Sequence, residues 1–352
     1  MVSITIVTWN SDSCLRECLA SVLRQDYPEI EVVVLDNASS DGTSEILREF
    51  EPRIRVIYKE QNLGFAAGQN EAMRAARGDW ALCLNPDVLL PKDFVSNLIA
   101  AGRAHPEAGA VCGKLLRWQP QECDARTKII DSTGVYFTPN MRHLDRGAEE
   151  VDCGQYNRAQ YVFGATGAAV LFRREFIDAV SVDGEFFDEE FFAFREDCDM
   201  AWRAQVMGQK FLYTPDAVAW HVRCVTPERR GSLPHIINWH SVKNRWLMRA
   251  KNASSWLTLR LAVPVFWRDA QAFGYALLRD PKMLSACFYR WRPRVRERLK
   301  HKREVIQARR KVSDRELLWW FSNTPRAIDV AQAVATIVPD LAVGEVASGE
   351  RR

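Results

Sequence analysis

Short aliphatic runs alternate with segments of helical period through the first third of the chain. The runs are rich in β-branched residues and are bounded by turn residues, as buried strands are. Between the first two runs, Leu15, Leu19 and Val22 recur at helical spacing. The pattern predicts five strands, at residues 4–8, 31–35, 54–58, 80–84 and 110–115. This β-α-β-α-β order is typical of a mainly parallel sheet covered by helices, so the predicted fold class is α/β.

After residue 117 the pattern changes to polar loops and then, from about residue 236, to an increasingly basic helical region. Trp and Phe are interleaved in Trp256–Leu278, but Pro264 and three charged residues interrupt that stretch. It therefore falls short of the roughly 20 apolar residues that cross a bilayer, and either an interfacial helix or packing against the protein would explain it. The other predicted elements are a strand at 168–172, a helix at 189–207 and short strands at 211–213 and 217–220.

The charge of the chain is unevenly distributed. Its 352 residues carry a net charge of +3, yet the segment Arg290–Lys311 alone holds eleven Lys or Arg against Glu297 and Glu304. Such a block fits an anionic membrane surface, a nucleic acid or a solvated helix. Because no nucleic-acid recognition module accompanies it, we expect no nucleic-acid partner.

The ends and the cysteines of the chain exclude some classes of protein. Met1–Asn10 alternates apolar and polar residues and leaves no room for a signal segment, so we expect a cytoplasmic protein. The nine cysteines are scattered without a Cys-x-x-Cys pair, which argues against a disulfide framework or a zinc cluster. The final segment, Gly344–Arg352, is predicted to be disordered.

Polar residues follow three of the predicted strands. The strands end at Thr8-Trp9-Asn10, at Asp36-Asn37 and at Asn85-Pro86-Asp87. Each set alone is ordinary turn chemistry. Because ligands of open parallel sheets bind beyond the carboxyl ends of the strands, the three sets together predict a ligand site. Asp36 could accept a hydrogen bond from a base or a ribose there.

Asp87 is the candidate metal ligand of this edge. A carboxylate at this position suits Mg²⁺ or Mn²⁺, which take one or two protein carboxylates and share their other positions with water and phosphates. Asn85 is a weaker ligand than a second Asp. His221 follows a short apolar run and is either a second ligand or a structural histidine.

Two further segments combine small or acidic residues in unusual density. Asn62–Asn70 contains Gly64 and Gly68, whose lack of a side chain suits close approach of a nucleotide or tight helix packing. It matches neither a phosphate-binding P-loop nor a dinucleotide motif. In Phe187–Asp199, acids stand among phenylalanines, and partial burial of such acids favours proton abstraction.

Over about residues 3 to 250 these segments resemble glycosyltransferase family 2, because their order and spacing agree with the family. The matching segments are Val7-Thr8-Trp9-Asn10, Asp36-Asn37 with Asp41-Gly42-Thr43, Asn62-x-Gly64-Phe65-Ala66-x-Gly68-x-Asn70, Leu84-Asn85-Pro86-Asp87, Gly164-Ala165 before Arg173-Arg174, Phe187-Asp188-Glu189-x-Phe191-Phe192, Glu196-Asp197-x-Asp199, and Pro215-x-Ala217-x-x-x-His221.

The resemblance implies a GT-A fold, inversion at the anomeric carbon and a role for each matching residue. Asp197 would be the general base, with Glu196 and Asp199 orienting it or balancing its charge. Asp87 and His221 would bind the metal, although Asn85 replaces the first acid of the family's common Asp-x-Asp. The implied donor-binding residues are Thr8, Asn10, Asp36, Asn62, Gly64, Asn70 and Asn85.

Asn85 also makes the chain similar to bacterial rhamnosyltransferases within the family. This likeness implies dTDP-L-rhamnose as donor, a lipid-linked or polysaccharide acceptor, and work at the inner face of the cytoplasmic membrane. A UDP-hexose donor and a degenerate nucleotide-sugar-binding scaffold remain alternatives. We divide the chain into a catalytic domain at 1–250, with a donor half at 1–117 and an acceptor half at 118–250, a helical extension at 251–343 and the tail.

Overall fold

A large mixed sheet forms the centre of the molecule. The computed structural model describes residues 1–118, 126–223 and 235–331. Its strands are β1 (Val2–Thr8), β2 (Ile30–Asp36), β3 (Arg55–Tyr58), β4 (Trp80–Leu84), β5 (Val88–Leu89), β6 (Ala108–Trp118), β7 (Arg126–Ser132), β8 (Val135–Phe137), β9 (His143–Asp145), β10 (Gln160–Val162), β11 (Ala169–Arg173), β12 (Lys210–His221) and β13 (Ile328–Asp329).

Helices cover the sheet and then make up most of the C-terminal third. They are α1 (Asp12–Val22), α2 (Thr43–Phe50), α3 (Phe65–Ala75), α4 (Phe94–Ala104), α5 (Arg174–Val180), α6 (Glu196–Val206), α7 (His235–Asn252), α8 (Ser255–Arg260), α9 (Ala262–Arg279), α10 (Leu284–Phe288), α11 (Pro293–Ala308) and α12 (Asp314–Trp319).

The strand order places the predicted strand ends side by side. The sheet runs β13-β10-β12-β6-β11-β4-β1-β2-β3, with β5 beside β12 and β7 beside β6. Strands β4, β1, β2 and β3 are parallel, so the residues that follow them lie on one edge. Strand β11 is antiparallel and lies between β4 and β6. The five strands predicted in the first third are confirmed, and so is the α/β fold class.

Two main hydrophobic clusters occupy the two faces of the sheet. One includes Leu15 of α1 and Phe94 of α4, both inaccessible to solvent. The other includes Trp202 of α6 and continues into Leu247 and Leu257, on the two sides of residue 250. The division of the chain at residue 250 thus stays a prediction, since the same core spans it.

The predicted helix at 189–207 is wrong in its first part. A short 3-10 turn covers Glu189–Phe191, and α6 begins only at Glu196. Between them Phe192, Phe194 and Arg195 have positive φ angles, which no α-helix accommodates. The turn begins where the Asp188 carboxylate accepts a hydrogen bond from the Glu190 amide, at 3.1 Å.

The two short strands predicted at 211–213 and 217–220 are one strand, β12. Its pairing with β6 shifts register between Tyr213 and Val218. Pro215 lies in this interval, and proline cannot donate to the ladder, so the strand bulges there and then resumes.

The C-terminal helices return the chain to the sheet. After α12, β13 pairs with β10 and becomes an edge strand. Among the described residues, none of the helices combines the length and the apolar character that crossing a bilayer requires. The predicted tail at 344–352 lies outside the described residues.

Candidate active site

Thr8 and Asp36 face each other where β1 and β2 end. They are register partners, and the Thr8 hydroxyl donates to Asp36 Oδ1 at 2.9 Å. Ser39 Oγ also donates to Oδ1, at 2.5 Å, and Ser44 Oγ donates to Oδ2 at 3.4 Å. The Asp36 carboxylate is therefore held by hydroxyl groups in a nearly buried position, as a base-reading or ribose-reading acid would be.

Asn10 joins this edge from the loop after β1. Its φ of 50° is left-handed, which Asn tolerates better than most residues. The Asn10 amide N–H donates to Ser39 Oγ at 2.9 Å, and Asn10 Oδ1 accepts from the Ser40 amide at 2.8 Å. The loops that follow β1 and β2 thus form one rim.

Asn62 and Gly64 shape the adjoining loop. Asn62 Oδ1 accepts from the Gly64 amide at 2.8 Å, and the Asn37 side chain donates to the Gly64 carbonyl at 2.9 Å. Gly64 has a φ of +84°, and a β-carbon there would lie 2.5 Å from the Phe192 carbonyl oxygen. The close approach that Gly64 permits is therefore to the loop before α6.

Asn70, unlike Asn10, directs its side chain to buried backbone and not to the rim. It is buried in α3, where its Nδ2 donates to the Phe187 carbonyl at 2.7 Å and its Oδ1 accepts from the Phe187 amide at 2.9 Å. Both ends of the side-chain amide are thus taken by one backbone unit. The structure gives Asn70 a part in fixing the chain ahead of the acidic segment.

Asp87 and His221 are brought together from distant parts of the sequence. Asp87 Oδ1 lies 3.3 Å from His221 Nε2, and His221 Nδ1 lies 2.8 Å from Asp131 Oδ2. Arg223 continues the series, because its guanidinium contacts both Asp131 and Asp145. Acids and cations alternate through this group, which we call the paired cluster.

In the paired cluster, opposite charges outweigh burial at every member except Asp145, whose pKa burial raises. Burial lowers the pKa of His221, but the Asp87 and Asp131 carboxylates raise it more, to about 10. Burial raises the pKa of Asp131, but His221 and Arg223 lower it to about 2. In Asp87 the raising effect of burial is likewise outweighed by His221, so its pKa is lowered.

Asp87 and His221 suit two positions of a divalent metal site. One carboxylate oxygen and one imidazole nitrogen lie within 3.3 Å of each other. No group of three or more metal-binding side chains occurs in the described ranges. Mg²⁺ and Mn²⁺ sites of this kind are completed by water and substrate phosphates, so two protein ligands fit such a site.

Asp197 lies between two cavities. It is the second residue of α6, and its Oδ2 accepts from the Gly167 amide at 3.0 Å. Cavities of about 190 Å³ and about 200 Å³ both have Asp197 in their walls. Asn85 lines the first, on the side of the strand ends, whereas Arg195 and Arg223 line the second.

Glu196 and Asp199 differ in their surroundings. Burial, together with the nearby Asp197 and Asp199 carboxylates, raises the pKa of Glu196 well above its usual range. Asp199 is inaccessible, with Oδ2 at 2.9 Å from Lys251 Nζ and Oδ1 at 2.8 Å from the Asn252 amide nitrogen. Glu196 therefore borders Asp197, while Asp199 anchors α6 to α7.

Several residues around the site carry no distinct signal in the sequence pattern. Asp131 and Asp145 come from short strands that the sequence pattern does not separate from loops. Lys251 and Asn244 lie on α7 without any motif around them. The sequence offers one signal for them, a charged or amide residue on the apolar face of a helix. That signal becomes meaningful only when the residues around it in the fold are known.

Comparison with known proteins places the chain in a family. The model of "Glycosyl transferase family 2" matches residues 3–178, half of the chain. A poly-beta-1,6-N-acetyl-D-glucosamine synthase of Staphylococcus epidermidis is 24% identical over 238 residues, which are 66% of this chain and 52% of that protein. An N-acetylglucosaminyltransferase of Azorhizobium caulinodans is 29% identical over 305 residues, 81% of this chain and 69% of that protein.

The fold agrees with these sequence matches. The crystal structure of GalNAc-T7 with UDP, GalNAc and Mn²⁺ is similar, with a TM-score of 0.53, 14% identity, and coverage of 71% of this chain and 48% of that one. The chain spans about half the length of the first curated relative that it matches. With the GT-A arrangement of its sheet and the family match over its first half, the chain belongs to glycosyltransferase family 2.

Proposed function

We propose that this chain transfers a sugar from a nucleoside diphosphate donor to a hydroxyl group of a glycan or lipid-linked saccharide, with inversion. The observation that carries the proposal is the position of Asp197, which lines both the cavity beside Asn85 and the cavity beside Arg195 and Arg223. A base at that boundary can reach an acceptor on one side while the donor sugar enters from the other.

In the proposed reaction Asp197 removes the proton from the acceptor hydroxyl. The hydroxyl oxygen attacks the anomeric carbon, and the bond from that carbon to the diphosphate breaks. The Gly167 amide holds one oxygen of the base in place. Burial and the nearby acids raise the pKa of Glu196, so a second full negative charge beside Asp197 is disfavoured, because two adjacent ionised carboxylates would repel each other.

The donor nucleoside is proposed to bind at the rim formed by Thr8, Asn10 and Asp36. Asp87 and His221 would hold Mg²⁺ or Mn²⁺, which neutralises the charge that develops on a departing diphosphate. Asn62 and Gly64 shape the loop beside this rim. The solved structure with Mn²⁺ supports a metal of this class.

Two donors deserve the first assays. The likeness to rhamnosyltransferases points to dTDP-L-rhamnose, whereas both curated relatives carry N-acetylglucosamine in their names, which points to UDP-N-acetylglucosamine. The assay measures the nucleoside diphosphate that is released, dTDP from dTDP-L-rhamnose or UDP from UDP-N-acetylglucosamine, with and without an acceptor. The donor with the higher kcat/KM decides between them.

Asp197→Asn tests the base assignment. We expect kcat to fall about a thousandfold, because general-base catalysis of this kind contributes that order. Donor affinity should stay within about threefold, because the donor rim belongs to other strands. The control is Asp178→Asn, which removes an exposed carboxylate of α5.

Wild-type turnover by Asp197→Asn would contradict the base assignment. Wild-type protein that binds a nucleotide sugar but transfers none of the sugars offered, with lipid-linked saccharides present, would favour the binding scaffold instead.

We also propose that the catalytic part works at an anionic membrane surface, because α9 is turned with its apolar side outward. Val263, Phe266, Trp267, Leu277 and Leu278 are between 53% and 81% exposed. Their spacing puts them on one side of the helix. This outward apolar side, which we call the α9 stripe, is unusual for a helix of a monomeric protein.

The side of α9 that faces the protein contains a charged residue, Asp269. Asp269 makes two bonds to the Arg249 guanidinium, at 3.0 and 2.6 Å, and lies 3.3 Å from Arg245. Nearby, Phe288 packs against Phe273 with ring centres 6.3 Å apart. Arg260, just before α9, and Arg279, at its end, are exposed. Exposed aromatic and basic side chains together are typical of proteins that bind the headgroup region of a bilayer.

Flotation with vesicles tests the membrane proposal. Protein should float with vesicles of phosphatidylcholine and phosphatidylglycerol and remain below with phosphatidylcholine alone. Phe266→Ser with Trp267→Ser should abolish flotation, whereas Tyr58→Ser with Val151→Ser, at exposed apolar positions outside the stripe, should not. Equal binding by both double variants would contradict the assignment of the stripe.

A further inference from the structure

The loop between the 3-10 turn and α6 has an unfavourable backbone. Phe192, Phe194 and Arg195 have φ angles of 65°, 70° and 71°. The left-handed region is disfavoured for residues with a β-carbon, and such conformations persist only where surrounding contacts hold them. Arg195 is the residue immediately before Glu196 and Asp197, so the loop determines where α6 begins.

One side chain of α7 forms hydrogen bonds to the backbone carbonyl groups of this loop. Asn244 is inaccessible to solvent, and its Nδ2 lies 2.9 Å from the Phe191 carbonyl oxygen, 2.9 Å from that of Ala193 and 2.7 Å from that of Phe194. Its two N–H groups are therefore shared among three acceptors. The neighbouring Lys243 donates to the Glu190 carbonyl at 2.6 Å. Consecutive residues of α7 thus bind four carbonyls of one short segment.

The same helix also fixes both flanks of the loop. Lys251 is inaccessible and forms ion pairs with Asp188, just before the loop, and with Asp199, in the first turn of α6. Lys302 of α11 binds the other oxygen of Asp188, at 2.9 Å. The flanks are therefore anchored by charges. The strained centre is held by Asn244, together with the Ala66 amide on the Phe192 carbonyl at 3.1 Å and Arg195 Nε on the Ser241 carbonyl at 2.8 Å.

We infer that Asn244 is a positioning residue for Asp197, and this inference rests on the proposed function. By binding three carbonyls, its amide keeps the loop in a conformation that it would otherwise leave. Asp197 then stays at the boundary of the two cavities. Loss of the amide should misplace the base and leave the donor rim intact, because the rim is built from β1 and β2.

The test compares Asn244→Ala with a matched control. Gln205→Ala removes another buried amide that donates to a backbone carbonyl, that of Phe163 at 2.8 Å, at the far end of α6. We expect Asn244→Ala to lower kcat about a hundredfold with donor Kd unchanged within threefold, since a displacement of about 1 Å has that effect. Gln205→Ala should lower thermal stability and leave kcat within threefold.

Hydrogen exchange provides a second readout that does not depend on activity. Amides of residues 190–197 should exchange at least tenfold faster in Asn244→Ala and remain protected in Gln205→Ala. Asn244→Gln keeps the amide group and should recover part of the lost kcat, and it replaces the alanine variant if that one does not fold.

The outcomes separate the two proposals. Unchanged exchange, or faster exchange with wild-type kcat, would overturn the positioning role. An equal fall in kcat with Gln205→Ala would overturn it as well. If the wild-type protein transfers no sugar, the proposed function fails, and the exchange at 190–197 alone then decides whether Asn244 holds the loop.

Discussion

The two acidic groups of the candidate site are built in opposite ways. In the paired cluster, His221 lies between Asp87 and Asp131, so acids and cations alternate. At the start of α6, Glu196 and Asp197 are adjacent acids, and Glu196 Oε2 has no hydrogen-bond partner within the described residues. The first group places each of its cations between two carboxylates, and the second has no cation between its acids.

This difference shows how one site can prepare two kinds of chemistry. Alternating charges favour the ionised forms of Asp87 and Asp131 although both are buried, which suits a place where cations and phosphates are exchanged. Adjacent acids share their charge unequally, so that one is neutral and the other can accept a proton. A substitution in the paired cluster should therefore change metal binding and its pH dependence, whereas a substitution of Glu196 or Asp197 should change kcat to different extents.

The largest effect is expected from Asp87→Asn. The substitution removes one proposed metal ligand and leaves His221 with a single carboxylate partner. We expect kcat to fall about a thousandfold, as on loss of a group that stabilises charge on a leaving group. Titration with Mn²⁺ in a calorimeter should show weaker binding, and unchanged Mn²⁺ affinity would remove Asp87 from the metal site.

Metal binding should depend on pH through His221. The metal needs neutral imidazole, but the free protein holds His221 protonated with a pKa of about 10. Mn²⁺ affinity should therefore rise about tenfold per unit between pH 7 and 9, with close to one proton released per metal. Calorimetry in buffers of different ionisation enthalpy measures the release, and His221→Gln should abolish the slope.

The free energy of unfolding of the metal-free protein should also follow His221. Its pKa is raised in the folded state, so the stabilisation is complete below the unfolded value of about 6.5 and is lost as pH rises toward 10. A pKa that moves from about 6.5 to about 10 corresponds to a loss of roughly 5 kcal/mol between these limits. Urea unfolding in EDTA should show it, and His221→Gln should flatten that part of the profile.

The smallest effect is expected from Glu196→Gln. Because burial and the neighbouring acids favour the uncharged form of Glu196 by raising its pKa, a neutral amide of the same shape is a close substitute. We expect kcat to change by less than about threefold at neutral pH, far from the loss expected for Asp197→Asn. A loss equal to that of Asp197→Asn in steady-state assays would give Glu196 a proton-transfer role of its own.

The sequence was informative where contacts are local or repeated. Strands β1 to β4 are short aliphatic runs that turn residues end, so their position and the rim of Thr8, Asn10 and Asp36 could be predicted. His221 could be placed with Asp87 only through family resemblance, because the residues that join them pair across the sheet through β12 and β5.

The rest depends on long-range contacts that no local pattern encodes. The run from Glu189 to Met207 reads as one helix, but Asn244 and Lys251 bind its first part in another conformation. Part of the basic block is similar: Lys302 of α11 is buried and paired with Asp188, whereas Arg298 pairs with Glu190 from an exposed position. Composition counted Lys302 as surface charge, and packing turned it inward.

The hold of α7 on the catalytic loop has a consequence for synthesis on the ribosome. Residue 197 leaves the ribosome before residues 244 and 251, and β13, which pairs with β10, follows later still. A growing chain can therefore assemble the donor rim while its base is still unplaced. With the roles proposed for Asp197 and Asn244, sugar transfer would begin only once the C-terminal helices have emerged, and unfinished chains that hold a nucleotide sugar would not consume it.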